Sequence, residues 1–363
     1  MNERTTYAPA RAELLGNHTD YNEGLVLAIA INVGTTISGS GRADTQFNLS
    51  SEGFPDSWSG WIDQFTPQKE PAPTWPNYVI GVGQALQSAG VALKGADLHI
   101  STTIPIGSGL SSSAALEIAT ALQLLKLNPG KELAPLEIAK AGQWAEHHFS
   151  GVKCGLLDQI SVLMSKENHA TFIDCRSFEV RHLPLGEETE FVIVHSGVNH
   201  ALDSGDYNER HADCSEAAKL LGVPFLRDVT PGELEERRSL LPERVYRRAV
   251  HVVGETARVA SAVSCLAHGN MDSFGKLMFE SHRSSVENFE NSCTEQDFLV
   301  NFSAGFDGCK GARLSGGGFG GATIHLLDQE KTAEFSAVIG DAYEKQFGRQ
   351  PLILKTKACH GAH

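Results

Sequence analysis

The thirteen residues Ile104–Leu116, IPIGSGLSSSAAL, constrain the fold more than any other stretch of the chain. They run from a strand end through two glycines and three serines into an apolar-periodic helix. Gly107 and Gly109 open backbone conformations closed to residues with a Cβ, so main-chain N–H groups can converge on one point. The helix after Ser111–Ser113 adds unpaired N–H groups and the positive end of its dipole. Together these features make an anion cradle sized for a phosphate. The serine hydroxyls add donors, and one of them is a candidate Mg²⁺ ligand. The spacing is neither that of a GxxxxGK[ST] loop nor that of a dinucleotide-binding GxGxxG. The bland alternative is a serine-capped helix after a glycine turn.

A chain of 363 residues has material for two domains. The net charge of −14 argues against nucleic acid or an anionic membrane as main partner. It also means that an anionic nucleotide must be drawn in by local groups. Seven cysteines without CxxC spacing read as reduced and mostly buried. The N-terminus lacks a charged-then-apolar signal and no apolar run reaches membrane-spanning length, which points to the cytoplasm.

Arg11–Gly24, RAELLGNHTDYNEG, crowds Arg11, Glu13, Asn17, His18, Asp20, Tyr21 and Asn22 into what reads as one short polar loop before an apolar, β-branched strand. Carboxylates, amides, an imidazole and a guanidinium in such density suit sugar hydroxyls, with a solvated hairpin as the alternative. Pro55–Pro76 reads as an irregular connection, after which Trp75 and Tyr78 open a helix and are candidates to flank a nucleobase. Ala96–Pro105 reads as the strand entering the Gly/Ser loop, and Pro135–Phe149 as a helix ending in Glu146, His147 and His148. Neighbouring helical positions diverge by about 100°, so the two histidines read as structural. Asp158 lies where the next helix starts, a place for an N-cap or for a carboxylate kept ionised by the dipole. Three strands follow between residues 169 and 196, and a loose domain boundary falls near 170–195. Tyr207 starts a further helix. Gly316–Gly321 holds five glycines beside a predicted strand, a mark of close backbone approach to a triphosphate or to the first loop.

These motifs, in this order, resemble the galactokinase branch of the GHMP small-molecule kinases. The carriers are RAELLGNHTDYNEG, WPNYVIGV, IPIGSGLSSSAALE, AEHHFSGVKCGLLDQ, HATFIDCRS, SGVNHALDSGDYNERHADC, FESHRSSVENFE and GARLSGGGFGGATIHLL. The resemblance implies an α+β, two-domain fold: a ribosomal protein S5 domain 2-like N-terminal unit over 1–180 and a ferredoxin-like C-terminal unit over 181–363. It implies ATP and Mg²⁺ as cofactors and phosphorylation of a hexose at its anomeric hydroxyl. Asp158 matches the base and Arg11 the cation beside it. Ser113 and Glu146 match the Mg²⁺ ligands, and Gly107, Ser108, Gly109, Leu110, Ser111, Ser112 and Ser113 the phosphate loop. Asn17, His18, Thr19, Asp20, Gly155 and Tyr207 fall on sugar contacts, and Ser51 falls near the nucleotide. The expected partner is a small-molecule sugar, and the expected state a monomer or weak homo-oligomer.

One departure bears on the substrate. The family usually reads GEHTD where this chain reads Gly16-Asn17-His18-Thr19-Asp20. Asn17 is neutral and both donor and acceptor, so it admits galactose, and it also lifts a like-charge repulsion against a C6 carboxylate. Galactose therefore comes first, with N-acetylgalactosamine or galacturonate as alternatives. A sugar sensor that binds without turnover is the non-enzymatic alternative, opposed by the intact SSSAA, Arg11, Glu146 and Asp158. A kinase for mevalonate or homoserine fits the NHTDY loop poorly.

Overall fold

The computed structural model describes residues 3–70, 72–105, 107–198 and 204–363. Asn199–Asp203, inside the SGVNHALDSGDYNERHADC segment, and Ile106 in the Gly/Ser loop lie outside the described residues.

The first half of the chain runs β1 (Arg4–Leu15), β2 (Leu25–Gly41), β3 (Gln46–Ser51), β4 (Phe54–Trp61), α1 (Pro76–Ser88), β5 (Ala96–Thr102), α2 (Ser112–Leu127), α3 (Pro135–Ala145), α4 (Leu157–Met164), β6 (His169–Asp174) and β7 (Val180–Pro184). Its seven strands form one sheet. The organising strand is β2, whose Val26–Ile31 run is wholly buried. It pairs antiparallel with β1 along most of its length and carries β5 at one end and β6 at the other. A β-branched, apolar run of this kind suits a strand covered on both faces. Helices α1 to α4 pack together, and α2 and α4 lie on β1 and β2.

The second half runs β8 (Thr189–His195), α5 (Ser204–Leu221), α6 (Pro231–Glu236), α7 (Glu243–Ala267), α8 (Met271–Ser284), α9 (Thr294–Ala304), β9 (Cys309–Leu314), β10 (Ala322–Asp328), α10 (Thr332–Phe347) and β11 (Leu352–Thr356). Its four strands are antiparallel in the order β11-β8-β10-β9, the ferredoxin-like arrangement. The chain then returns to the first sheet. Tyr7 and His363 exchange backbone hydrogen bonds of 3.0 Å, and Cys359 N donates to Ala30 O.

Three sequence readings need correction. Arg11 and Glu13 are not in a loop but on β1, which extends to Leu15. Their alternation with Ala10, Ala12 and Leu14 is the period of a strand, hidden by the charges. Within the supposed connection Pro55–Pro76, Phe54–Trp61 forms β4, an edge strand on which a proline is tolerated. All seven cysteines are free, but only Cys175 and Cys214 are buried and the other five are half-buried. Among the described residues no helix is long and apolar enough to cross a membrane.

Candidate active site

The Gly/Ser loop leaves β5 and enters α2 with Gly107, Gly109 and Ser111 all at positive φ, 72°, 71° and 58°. Leu110 and Ser108 are buried and anchor the loop from below, while Gly107, Gly109 and Ser112 are exposed and Ser113 is half-buried. Arg11 N donates to Leu110 O at 3.3 Å, tying the loop to β1. Ser111 occupies the N-cap position of α2 without capping it through its side chain. The amides of the first turn are therefore not claimed by that hydroxyl.

Asp158 sits in the first turn of α4, one residue inside the helix rather than at its cap, which is Leu156. Arg11 meets it in a two-pronged pair, Nε to Oδ1 at 2.8 Å and Nη2 to Oδ2 at 2.9 Å. The remaining guanidinium nitrogen, Nη1, donates to Gly109 O at 2.7 Å. The Ser111 hydroxyl also donates to Asp158 Oδ2. Strand, loop and helix thus converge on one carboxylate at the loop's mouth. Planar bidentate pairing fixes both groups in orientation.

Behind them lies an acidic cluster. Glu146, in a wide π turn after α3, is 6% exposed and accepts from Cys154 Sγ (2.8 Å) and Gln159 Nε2 (3.1 Å), with the Ser113 hydroxyl near it. Gln159 Nε2 also donates to Glu117 Oε2 at 2.9 Å, while Glu117 Oε1 is buried with no partner. Burial pushes both carboxyls up, Glu117 well above its ordinary value, and the charge of Glu146 raises Glu117 further while that of Asp158 raises Glu146. Among the described residues no three His, Cys, Asp or Glu side chains form a ready-made metal cage. Glu117, Gln159 and Cys154 were not singled out in the sequence. For Glu117, the only signal was a charge on an otherwise apolar stretch of α2.

The polar segment after β1 divides in two. Thr19 is fully buried and donates to Gly16 O and Leu25 O, both at 2.8 Å. His18, with φ of 59°, is clamped between Tyr21 OH (2.9 Å) and Gly317 O (3.0 Å). Burial lowers its pKa to about 4, so the ring is neutral near pH 7. Asn17 is 1% exposed, with Nδ2 bonded to Gly316 O and Oδ1 accepting from Asn291 Nδ2. Asp20 and Tyr207 remain half-buried. Asp20 Oδ2 accepts from Gly155 N at 3.1 Å, and burial, then Asp158 and Glu13, push its pKa up to about 7. Tyr207 packs its ring 5.2 Å from His18 and 5.8 Å from Tyr21. Asp158, Arg11, Asp20 and Gly155 are thus gathered in one place, with Asn17, His18 and Thr19 beneath.

Glu255 on α7 and Arg313 on β9 were also missed in the sequence. Glu255 Oε2 accepts from Gly16 N and Asn17 N, each at 2.9 Å, and Arg313 pairs with Glu13 at 3.0 Å with both side chains sealed. The Gly316–Gly321 segment lies against the Gly/Ser loop itself. A Cβ on Gly316 would stand 2.7 Å from Gly109 O, and one on Gly321 would stand 3.1 Å from Ser108 O. Of the two uses the glycines suggested, this is backbone on backbone.

The remaining candidates stand apart. Ser51 ends β3 beside Ile100 of β5, the strand that feeds the loop. Trp75 is buried and stacks on Phe54 at 5.9 Å, while Tyr78 is half-buried near Glu146 and Ser150. His147 and His148 bond to backbone carbonyls of Cys154 and Trp144.

The family model of the GHMP kinases N terminal domain matches residues 77–166, and that of the GHMP kinases C terminal domain matches 262–345. The model described as a galactokinase galactose-binding signature matches residues 2–40. The galactokinase of Chloroflexus aggregans is 39% identical over 362 residues, covering 98% of this chain and 92% of that protein. The human galactokinase is 42% identical over 332 residues, covering 90% of this chain and 84% of that protein. The crystal structure of Lactococcus lactis galactokinase complexed with galactose is similar at a TM-score of 0.95 and 31% identity, covering 100% of this chain and 95% of that one. A mevalonate kinase structure, at 20% identity and a TM-score of 0.66, shares the fold. By the identity and reach of these matches, the chain belongs to the galactokinase family of the GHMP kinases.

Proposed function

We propose that this chain is an ATP-dependent galactose 1-kinase, moving the γ-phosphoryl of MgATP to the anomeric hydroxyl. The observation that carries the reading is the Arg11–Asp158 pair set at the mouth of the Gly107–Ser113 loop. The loop amides and the positive end of α2 would receive the triphosphate. Asp158 would accept the proton of the sugar's 1-hydroxyl, and the two bonds from Arg11 would hold that carboxylate in plane. Ser113 and Glu146 fit Mg²⁺, since both offer oxygen and Mg²⁺ takes few protein ligands, filling its shell with water and phosphate. Bound there, the ion would neutralise charge on the phosphate oxygens. Asp20, Gly155 and Tyr207 would line the sugar, with Asn17, His18 and Thr19 fixing the segment that presents Asp20. Ser51 would lie toward the nucleotide.

The names of the relatives favour galactose over galacturonate or N-acetylgalactosamine, and an intact loop and base favour an enzyme over a sensor. We also propose residues 1–180 and 181–363 as the two domains, a cytoplasmic location, and a monomer or weak homo-oligomer. The test is ADP release by purified protein with MgATP and galactose, N-acetylgalactosamine, galacturonate or glucose. Galactose should be turned over fastest, and Asp158→Asn should abolish turnover while sugar still binds. Absence of turnover with every sugar defeats the reading.

A further inference from the structure

Ser111 is the one non-glycine residue of the Gly/Ser loop at positive φ, 58°, among the described residues. A serine there carries a backbone cost that glycine would avoid. Nor is it repaid by capping, because its hydroxyl makes no bond to the first turn of α2. The hydroxyl instead donates to Asp158 Oδ2, which already accepts from Arg11 Nη2. A carboxylate oxygen offers two lone-pair sites. Both on Oδ2 are filled from within the protein, whereas Oδ1 has only Arg11 Nε.

We propose that Ser111 is a positioning residue that saturates Asp158 Oδ2 and so makes Oδ1 the atom that takes the sugar's proton. The inference rests on the kinase reading and deepens it. In the step, the 1-hydroxyl proton passes to Oδ1, the sugar oxygen bonds the γ-phosphorus, and the bond to the bridging oxygen breaks to release ADP. Because Ser111 also holds the N-cap position of α2, the orientation of the base is tied to the placement of the phosphate-binding helix.

The test compares wild type, Ser111→Gly and Ser111→Ala. Ser111→Gly relieves the backbone, so its melting temperature should not fall. Its kcat at saturating galactose and MgATP should drop about ten- to a hundredfold, the scale of one hydrogen bond to a charged group. The galactose KM should be unchanged or lower, since a second acceptor is uncovered. Ser111→Ala should lose the same kcat and also melt earlier. Full kcat in Ser111→Gly, or a loss confined to the KM for ATP, overturns the proposal. A crystal structure of wild type with galactose should place the 1-hydroxyl on Oδ1, and finding it on Oδ2 overturns the proposal as well. A wild type that turns over no sugar defeats the kinase reading instead. Ligand-free crystals still decide the Ser111 claim in that case, because a hydroxyl turned away from Asp158 refutes it.

Discussion

The side-chain amide of Asn17 donates to the carbonyl of Gly316 at 2.8 Å, joining the segment after β1 to the glycine-rich segment before β10. Its oxygen accepts from Asn291 at 2.9 Å, and the backbone amides of Gly16 and Asn17 are held by Glu255. Three remote parts of the chain therefore set the position of Asp20.

Asn17→Ala removes the amide bonds to Gly316, Asn291 and Glu13 inside a sealed region and leaves the Asn291 amide with Gly317 O alone. The expected loss of stability is about 1–3 kcal/mol, read by denaturant unfolding, with a raised KM for galactose. Asn17→Asp should do worse than alanine. Its carboxylate would face the Gly316 carbonyl and also Glu13, whose Oε2 lies 3.4 Å from the native amide nitrogen. An aspartate variant as stable as wild type would refute this account.

Gly155 lies so near Asp20 that a Cβ on it would stand 2.3 Å from Oδ2. Gly155→Ala must displace the Asp20 carboxylate and lengthen its bond to the amide of residue 155. The damage should appear as weaker galactose binding by calorimetry, at least about tenfold, while nucleotide binding stays close to wild type. Equal losses for both ligands would place the fault elsewhere.

Asp20 also predicts a pH dependence of stability. Its folded pKa, pushed up to about 7 from 3.8, means that the native state binds the proton more tightly than the unfolded chain. Stability from this group is present at low pH and is lost as pH rises between those values. Asp20→Asn should therefore raise the melting temperature at pH 8 and change it little at pH 4. His18 acts in the opposite sense, its pKa lowered to about 4 from 6.5, so its contribution is lost as pH falls across that window. The difference between wild type and Asp20→Asn isolates the first effect, and a gap that widens toward acid would contradict it.

What the sequence disclosed followed from backbone chemistry. The glycines of the Gly/Ser loop and of Gly316–Gly321 marked close backbone approach, and at Gly109, Gly316 and Gly321 the structure puts the two segments in contact. Arg11 stood out in a dense polar segment and Asp158 at the start of a helix, and they meet. The contacts that fix their surroundings were hidden because they are single residues inside regular elements. Nothing local distinguishes Glu255 on α7 or Arg313 on β9 from surface charges, since their partners, Asn17 and Glu13, lie hundreds of residues away. The strand period of Arg11 and Glu13 was masked, because buried charges run against the apolar rule by which strands are recognised.

The acidic cluster gives the last prediction. Gln159 is fully buried and its one amide nitrogen serves both Glu117 and Glu146. Gln159→Leu keeps similar bulk but leaves the buried Glu117 carboxyl with no donor and Glu146 with only Cys154, a loss of about 3 kcal/mol. Glu146 would then turn to other donors, and the Mg²⁺ site proposed at Ser113 and Glu146 would lose one of its two ligands. The rise in melting temperature on adding MgCl₂ and ADP should shrink in the variant, since binding to the native state stabilises it in proportion to affinity. The MgCl₂ concentration for half-maximal ADP release should rise as well. Glu117→Gln in the same background replaces one carboxylate with an amide that can donate to Glu146, so it should restore much of the stability and the Mg²⁺ response. If Gln159→Leu binds Mg²⁺ as wild type does, the bond from Cys154 is enough to hold Glu146 and the amide bridge is merely internal packing.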